Sequence, residues 1–324
     1  MEITSYDYLK GAKKPRPFSF DYKNYEGNNI LVVSGIHGNE QLAVLSSYNA
    51  YSQISTENLI NGTLSLYMGV NSRGLVDGTR EYPQWNDPTA TPEDRNINRA
   101  FRSEEDKTDE FQSVIAKTKI MTNGRDIVID VHNSPSIHHC ILVDNGPYAR
   151  AYVKWCIDND IAYILRDGPE GTLKSRSIEN GQVGFTVELG GMGDCMFEEF
   201  IQSTQVEFLI KLITALSKVE DLNIFKKADE PFPPIAKMQG YVWHGPYGFI
   251  EYDSDVTHPN HTMFNPDEEI GHMLTEDGSW HPIYIPQRGW ICCLGSQSNV
   301  AVNNSEIFYY QPDCSLYLEG YNEN

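Results

Sequence analysis

The sequence predicts an α/β layer domain followed by a smaller all-β domain, and three observations lead to this prediction. Between about residues 28 and 220, short apolar runs rich in Val and Ile alternate with longer amphipathic segments, which is typical of alternating strands and helices. The segment Phe225–Lys237, with three prolines and mixed charges, then interrupts the pattern as a linker would. Residues 238–324 carry short β-type runs broken by Gly, Pro, Asn and Asp. We therefore expect domains at 1–225 and 226–324.

The strands are predicted from short apolar runs, several of which lack polar alternation. Such runs are expected of strands that are covered on both faces of a sheet. The predicted strands are Ile30–Val33, Thr63–Val70, Ile127–Val131, Cys140–Val143, Ala162–Leu165 and Gly184–Leu189.

The helices are predicted from apolar residues that recur at helical spacing. The pattern is clearest in the last of the four, where Phe208, Leu209, Leu212 and Leu216 fall on one face. The predicted helices are Gln41–Ser52, Asp109–Thr118, Tyr148–Asn159 and Phe197–Lys218.

Composition and charge exclude several classes of protein. No run of 18 apolar residues predicts a membrane span, and the basic N-terminus has no apolar core, so it does not resemble a signal peptide. The six cysteines lack a C-x-x-C spacing and are expected to be reduced thiols of a cytoplasmic protein. A net charge of −20 argues against nucleic acids and anionic membranes as partners. The same negative charge means that an anionic substrate would need local arginines to hold it. As to oligomeric state, a homo-oligomer is compatible with the sequence.

Histidines and carboxylates follow the predicted strands at the points where these strands end. His37 and Glu40 come after the first strand, His132 ends the third, and Glu188 lies at the end of the last. The carboxyl ends of strands in an open α/β sheet are where functional groups collect. Two histidines and one carboxylate that converge there make a His₂Glu zinc set with a position left for water. Asp130 could orient a ligand from behind, or its side chain could face away from His132.

Simpler interpretations compete with this one. An isolated H-x-x-E is weak evidence for a metal site, and a histidine at a strand end is often a hydrogen-bonded core residue. The adjacent His138 and His139 form a rival metal candidate, but neighbours on an extended strand point to opposite faces. The combination of His37, Glu40 and His132, each after a buried strand, favours the metal site.

Five ordered motifs between residues 31 and 190 resemble the aspartoacylase and succinylglutamate desuccinylase family, with the aspartoacylase branch as the nearest likeness. The likeness extends to "THPN" at 257–260 and "SEIFYYQ" at 305–311. It implies a carboxypeptidase A-like mixed sheet flanked by helices. The five motifs are "GIHGNE", "NSRGLVDGTREY", "RNINRAF", "DVHNS" and "SRSIENGQVGFTVELG".

The resemblance also implies roles for individual residues. His37, Glu40 and His132 match the ligands of one Zn²⁺ per chain. Glu188 matches the carboxylate that takes a proton from the attacking water and returns it to the leaving nitrogen. Zinc would make that water acidic enough to attack and would polarise the amide carbonyl. Arg80 matches an arginine that stabilises the oxyanion, with Arg95 and Arg73 as alternatives for this role.

Further matches concern the substrate. Asn98 and Arg99 match a pair that holds the α-carboxylate, which a guanidinium grips well. Arg176 matches an arginine that meets a second carboxylate, although it precedes Glu188 by two residues more than the family pattern. Tyr309 matches a tyrosine that closes the pocket.

The function implied is a zinc amidohydrolase that removes the acyl group from a small anionic N-acyl amino acid, with N-acylaspartate as the model substrate. A carboxypeptidase-type metallopeptidase would use the same metal site in a more open pocket. A third interpretation is a non-catalytic metal-binding protein. A sequence that lacked Glu188 or one of the metal ligands would have favoured it. All four positions are filled in this sequence.

Overall fold

The structure is a computed structural model and describes residues 17–23, 26–83, 91, 93–101, 109–134, 138–190, 199–225, 230–243, 248–252, 263–294, 300–301 and 305–318. The chain forms two compact units. The first is Met1–Asn133 with Pro169–Leu222, and the second is Ser134–Gly168 with Asn223–Asn324. The second unit thus takes in residues 134–168 besides the C-terminal region that the sequence predicts as a separate domain.

The predicted fold class is confirmed, because a mixed seven-stranded sheet is flanked by helices and small antiparallel sheets follow it. The sheet contains β1 (Phe18–Lys23), β2 (Asn29–Ser34), β3 (Thr63–Met68), β4 (Ile127–Asn133), β5 (Cys140–Asp144), β6 (Tyr163–Arg166) and β7 (Val183–Leu189). The α-helices are α1 (Gln41–Glu57), α2 (Ser72–Asp77), α3 (Asp109–Thr122), α4 (Ala149–Asp158), α5 (Leu173–Glu179) and α6 (Glu199–Ser217).

In the first unit the strand order is β1-β3-β2-β4-β7, and only the edge pair β1–β3 is antiparallel among these strands. Every residue of β4 is buried, as is β2 from Ile30 to Ser34. Continuous burial explains why these strands read as apolar runs without alternation. Strand β4 carries Asp130 and His132, and strand β2 leads directly into the segment of His37.

In the second unit β5 pairs with β6 in parallel, and α4 packs on both. The C-terminal strands form two antiparallel sheets, ordered β11-β10-β9-β13 and β12-β14-β8. Their shared core includes Ile270, Met273 and Phe308. The strands are β8 (Gln239–Trp243), β9 (Gly248–Tyr252), β10 (Glu269–Thr275), β11 (Trp280–Tyr284), β12 (Gly289–Leu294), β13 (Val300–Ala301) and β14 (Ser305–Pro312).

The predicted strands and helices are all present, and the differences lie at their ends and in short elements. Helix α1 continues to Glu57 and ends where Asn58 adopts a left-handed backbone (φ 55°), a conformation that asparagine tolerates. Strand β1 and helices α2 and α5 were not predicted. Among the described residues, no helix has both the length and the apolar character needed to cross a membrane.

Candidate metal centre

Three predicted ligands meet at one edge of the sheet in the first unit. His37 follows β2, Glu40 is the N-cap residue of α1, and His132 lies near the end of β4. Because β2 and β4 are parallel, with Ser34 opposite Val131, their carboxyl ends reach the same edge. All three side chains are buried. Among the described residues they are the one group of three or more potential ligands whose donor atoms lie within 4.8 Å of one another.

The donor atoms of this cluster converge through the Nδ1 side of both imidazole rings. His37 Nδ1 lies 2.8 Å from Glu40 Oε1, and His132 Nδ1 lies 2.8 Å from Glu40 Oε2. The two Nδ1 atoms are 3.1 Å apart. Ligand atoms about 2.0–2.1 Å from a tetrahedral Zn²⁺ are separated by roughly 3.3 Å. The three donors therefore fit a zinc-sized ion with a shift of a few tenths of an ångström.

Both histidines are held from the other side of the ring, through Nε2. Asp130 Oδ2 lies 2.9 Å from His132 Nε2, and Asn96 Oδ1 lies 3.1 Å from His37 Nε2. Such acceptors fix the tautomer so that Nδ1 is the nitrogen free to bind a metal. Residues 130 and 132 are two apart on a strand and share a face, so Asp130 orients the ligand. Of the two orientations left open for Asp130, the structure shows the one toward His132.

The charges of the cluster are strongly coupled. Burial lowers the pKa of His37, and the neighbouring His132 acts in the same direction. Burial also opposes the charged form of His132, but the negative charges of Asp130 and Glu40 outweigh it and raise the pKa of His132 well above its usual value. For Glu40 the penalty of burial is outweighed by His132 and His37, which hold its pKa far below the usual range. The site thus maintains an ionised carboxylate between two imidazoles.

Arg80, which matches the oxyanion arginine of the family, lies beside the cluster. Its Nη1 atom donates to Glu40 Oε1 at 2.9 Å, while 41% of the side chain stays exposed. The backbone of Arg80 is fixed as well, because its carbonyl accepts hydrogen bonds from Gly38 N at 3.2 Å and Asn71 Nδ2 at 3.3 Å. A cation held beside the donor set and open to solvent can meet an anionic group at the metal centre.

Gly38 is required by a close approach between two backbone segments. A Cβ atom at this position would lie 2.0 Å from the carbonyl carbon of Gly74. No side chain fits there, so the segment of His37 packs directly on helix α2.

Glu188 lies on β7, the neighbour of β4, where the strand register pairs it with His132. Register partners on adjacent strands project from the same face of a regular sheet. Glu188 is also only partly buried. The structure therefore brings the predicted catalytic carboxylate to the edge and face that carry His132.

Asn98 reaches the cluster through Asp130, the carboxylate behind a histidine ligand. Its Nδ2 atom donates to Asp130 Oδ2 at 3.0 Å and lies 3.0 Å from His132 Nε2, and its Oδ1 atom accepts from Leu173 N at 2.9 Å. Both ends of the amide are thus occupied by protein groups. The structure gives Asn98 a positioning role toward His132, and its contact with substrate stays a prediction. Arg99, next in the chain, donates from Nη1 to the Asn98 carbonyl at 2.9 Å and is half-buried.

The structure does not bring Arg176 to the metal cluster. Helix α5 begins beside Asn98 and runs back toward the start of β7, so Arg176 faces a cavity shared with Arg125 and Gln182. Those two residues precede β4 and β7, at the opposite edge of the sheet. Arg176 forms an ion pair with Glu179 on the same helix, with Nη1 3.5 Å from Oε2.

The remaining predicted residues belong to the second unit. Tyr309 lies on β14, half-buried and paired with Cys293 of β12 and Gly240 of β8. His138 and His139 are both buried before β5, and burial lowers the pKa of His139 to about 3. The "THPN" motif at 257–260 lies outside the described residues.

Asn96 is a site residue that sequence reasoning missed. It accepts from the Asn98 backbone N–H at 2.9 Å and presents the same Oδ1 atom to His37. The signal available was its place in "RNINR", two residues before Asn98, where the motif departs from the family pattern. Its contact with His37 depends on a 3₁₀ turn that local sequence does not specify.

Comparison with known protein families gives a match over more than half of the chain. The sequence profile of the succinylglutamate desuccinylase/aspartoacylase catalytic domain matches residues 26–212. No curated protein sequence is significantly similar to the chain.

Solved structures share the fold over nearly the whole chain. An aspartoacylase family protein from Mesorhizobium loti superimposes with a TM-score of 0.55 at 16% identity, over 91% of this chain and 88% of that one. A succinylglutamate desuccinylase/aspartoacylase from Rhodobacter sphaeroides gives 0.54 at 16% identity, over 91% and 89%. The product-bound ectoine utilization protein EutE (DoeB) from Ruegeria pomeroyi gives 0.53 at 15% identity, over 91% and 88%. At these identities the likeness shows a common fold. The profile match over more than half of the chain shows that this protein belongs to the succinylglutamate desuccinylase/aspartoacylase family.

Proposed function

We propose that the protein is a zinc-dependent deacylase that hydrolyses the amide bond of an N-acyl amino acid, with an N-acylaspartate-like molecule as substrate. Members of its family are amidohydrolases of this kind. The observation that carries the proposal is the buried His37–Glu40–His132 cluster with the Arg80 guanidinium 2.9 Å from Glu40. The aspartoacylase branch and the identity of the metal are parts of the proposal.

His37 and His132 would hold the ion through Nδ1, and Glu40 through its carboxylate. When bound, zinc supplies a Lewis acid that polarises the amide carbonyl and acidifies a water molecule. The protein's own contribution is the rigid placement of the donors by β2, β4 and the start of α1. Asp130 and Asn96 keep both rings in the orientation that this requires.

Glu188 is proposed to move the proton. It accepts a proton from the attacking water and delivers it to the leaving nitrogen, which a single carboxylate can do if it reaches both atoms. Its register with His132 and its partial exposure support this role. Arg80 is proposed to stabilise the negative charge that develops on the carbonyl oxygen, since its side chain is anchored at the cluster yet open to solvent.

The substrate is proposed to be anionic because the chain offers it arginines despite a net charge of −20. Arg99 is the residue proposed for the α-carboxylate, since it follows Asn98 directly and is half-buried. A contact between Arg176 and a side-chain carboxylate would require a placement other than the one on α5 described above.

A hydrolysis screen with the zinc-loaded protein tests the proposal. N-acetyl, N-succinyl and N-formyl derivatives of aspartate, glutamate, leucine and phenylalanine are compared by kcat/KM, with H132A as the matched inactive variant. We expect turnover of at least one N-acyl amino acid, the highest kcat/KM for an acidic one, and none with H132A. A preference for the leucine or phenylalanine derivatives would refute the acidic substrate. Activity against C-terminal residues of peptides instead would refute the deacylase assignment in favour of a peptidase.

A further inference from the structure

The helix that begins at Glu40 lacks the side-chain cap that such a helix normally has. Glu40 is the N-cap residue of α1, and its side chain makes no capping hydrogen bond. An N-cap side chain usually accepts from the backbone N–H of the second or third helical residue, which has no partner within the helix. The Glu40 carboxylate instead faces His37 Nδ1 and His132 Nδ1, each at 2.8 Å. The metal centre and the helix therefore compete for one carboxylate.

Asn133 supplies the missing cap from a neighbouring strand. Its Oδ1 atom accepts from the backbone N–H of Ala43, the third residue of α1. Asn133 is the last residue of β4 and follows His132 directly. Both partners are buried, with 4% of Asn133 and 0% of Ala43 exposed. An N–H group that loses its acceptor in such a place is costly, because water does not replace the acceptor.

The orientation of the Asn133 amide is determined by its second partner. Its Nδ2 atom donates to the Leu189 carbonyl at 3.1 Å. A carbonyl can only accept and a backbone N–H can only donate, so the amide oxygen faces Ala43 and the amide nitrogen faces Leu189. Leu189 follows Glu188 at the end of β7. One side chain thus connects the ends of β4 and β7 with the start of α1.

A second buried amide joins α1 to the same end of β7. Gln205 of α6 accepts from Ser46 Oγ of α1 and donates to the Gly190 carbonyl. Neither Gln205 nor Ser46 has exposed surface. This bond holds α1 in place independently of Asn133, so replacing Asn133 affects chiefly the first turn and its N-cap residue.

A structural explanation would treat Asn133 as a stabilising cap without any relation to the metal centre. An asparagine that caps a helix stabilises a protein wherever the helix lies. Under that explanation, any effect of replacing Asn133 on zinc affinity is the same whether or not Glu40 is present. The competition for the Glu40 carboxylate predicts a different result, because this carboxylate is the group that would take over the uncapped N–H.

We propose that Asn133 is a positioning residue of the metal centre, which caps α1 in place of Glu40 and thereby leaves the Glu40 carboxylate to the metal. Without Asn133, the Ala43 N–H loses its acceptor, and the N-cap residue Glu40 is placed to accept from it. The carboxylate must then leave this N–H before it can hold a metal, so the affinity for zinc falls. The inference rests on the zinc site of the proposed function, but not on the hydrolysis.

A double-mutant cycle on the zinc affinity of the full chain tests the proposal. The zinc Kd is measured by competition with a chelator for the wild type, N133A, E40A and N133A/E40A, and circular dichroism verifies the fold of each. We expect N133A to bind zinc about five- to thirtyfold more weakly than the wild type, which corresponds to the loss of one helix cap. In the E40A background the same substitution should change the Kd less than about twofold, because the carboxylate through which Asn133 acts is absent.

Two further variants serve as controls. Asn145 of the second unit also has both ends of its amide on backbone groups, since Oδ1 accepts from Phe232 N at 3.0 Å and Nδ2 donates to the Phe232 carbonyl at 3.2 Å. N145A should therefore keep the wild-type Kd. N133D keeps an acceptor for the Ala43 N–H, and a negative charge suits the N-terminus of a helix. Its zinc Kd should be no more than about threefold weaker than that of the wild type, which keeps the proposal testable if N133A does not fold.

Several results would overturn the proposal. These are an N133A Kd within about twofold of wild type, an equal loss from N133A in both backgrounds, a comparable loss in N145A, or a loss of about fivefold or more in N133D. Failure of the proposed function gives another pattern. A wild type that binds zinc, shows the expected cycle and hydrolyses no N-acyl amino acid supports this inference and refutes only the deacylase assignment. A wild type that binds no zinc overturns both.

Discussion

Replacing Asp130 with Asn tests whether the carboxylate behind His132 sets the affinity of the metal centre. Asp130 Oδ2 faces His132 Nε2 at 2.9 Å and Asn98 Nδ2 at 3.0 Å, in a fully buried position. Asparagine keeps the size and can retain one hydrogen bond to His132, but without the negative charge. Its amide hydrogens would also be buried, where Asp130 Oδ1 now has no hydrogen-bond partner among the described residues.

The expected loss can be bounded from these contacts. Hydrogen bonds to charged groups contribute about 1.5–3 kcal/mol and neutral ones about 0.5–1.5 kcal/mol, so the change in bond strength alone is about 1–1.5 kcal/mol. Mutation of the group that hydrogen-bonds a histidine ligand from behind typically weakens metal binding by about 10–100-fold, or about 1.4–2.7 kcal/mol. We therefore expect D130N to bind zinc about 10–100-fold more weakly than the wild type.

The assay is the zinc Kd measured by competition with a chromophoric chelator, with circular dichroism to verify the fold of the metal-free variant. D126N is the matched control, because Asp126 precedes the same strand and its carboxylate accepts from the Asn29 backbone N–H at 2.8 Å. It should keep the wild-type Kd. A D130N affinity within threefold of wild type would refute the positioning role. An equal loss in D126N would assign the effect to strand stability instead.

Three further predictions concern the proton-transfer carboxylate, the glycine contact and the pH dependence of metal binding. E188Q should lower kcat by about 10²–10⁴-fold. Its zinc content, measured by atomic absorption, should equal that of the wild type. A near-normal kcat would exclude Glu188 as the base. G38A should lower the free energy of unfolding, measured by urea denaturation, by about 1–3 kcal/mol or more, because its Cβ would overlap the Gly74 backbone. G146A is the control, because the nearest atom to its Cβ would be 4.0 Å away. An equal loss in G146A would contradict the packing argument. The raised pKa of His132 stabilises the metal-free protein below the unfolded value of about 6.5 and ceases to do so as pH rises through the folded pKa. Zinc competes with the same proton, so the Tm gap between zinc-loaded and metal-free protein should widen as pH rises, and a constant gap from pH 6 to 9 would contradict this coupling.

The core of the fold could be predicted from the sequence because continuous burial leaves a local signal. Strand Ile30–Val33 is apolar on both faces, and Ile127–Val131 is apolar except at Asp130; the structure buries both faces of each. Helices α2 and α5 give no comparable signal, since they are only 6 and 7 residues long and largely polar or interrupted by glycine. The inclusion of 134–168 in the second unit depends on contacts distant in sequence.

In the candidate site, too, some residues could be predicted from the local sequence and others could not. His37, Glu40 and His132 were predicted together because strand ends fix their positions, and the structure brings them within hydrogen-bonding distance of one another. The contacts of Asn96 and Arg176 depend instead on a 3₁₀ turn and on the direction of a short helix. Residue type and spacing specify neither, so motif matching identifies Arg176 without placing its side chain and misses Asn96.

The hydrogen bonds on the Arg80 carbonyl have a consequence for protein engineering. Gly38 N and Asn71 Nδ2 both donate to this oxygen, and Gly38 packs on Gly74. The loops after β2 and β3 are therefore one interlocked block, although more than 30 residues separate them in sequence. A loop graft that exchanges one of them with a relative would carry a mismatched partner and displace the guanidinium. Transplanting the segments around Gly38 and Gly74 together is the way to alter this part of the molecule while keeping the arginine in place.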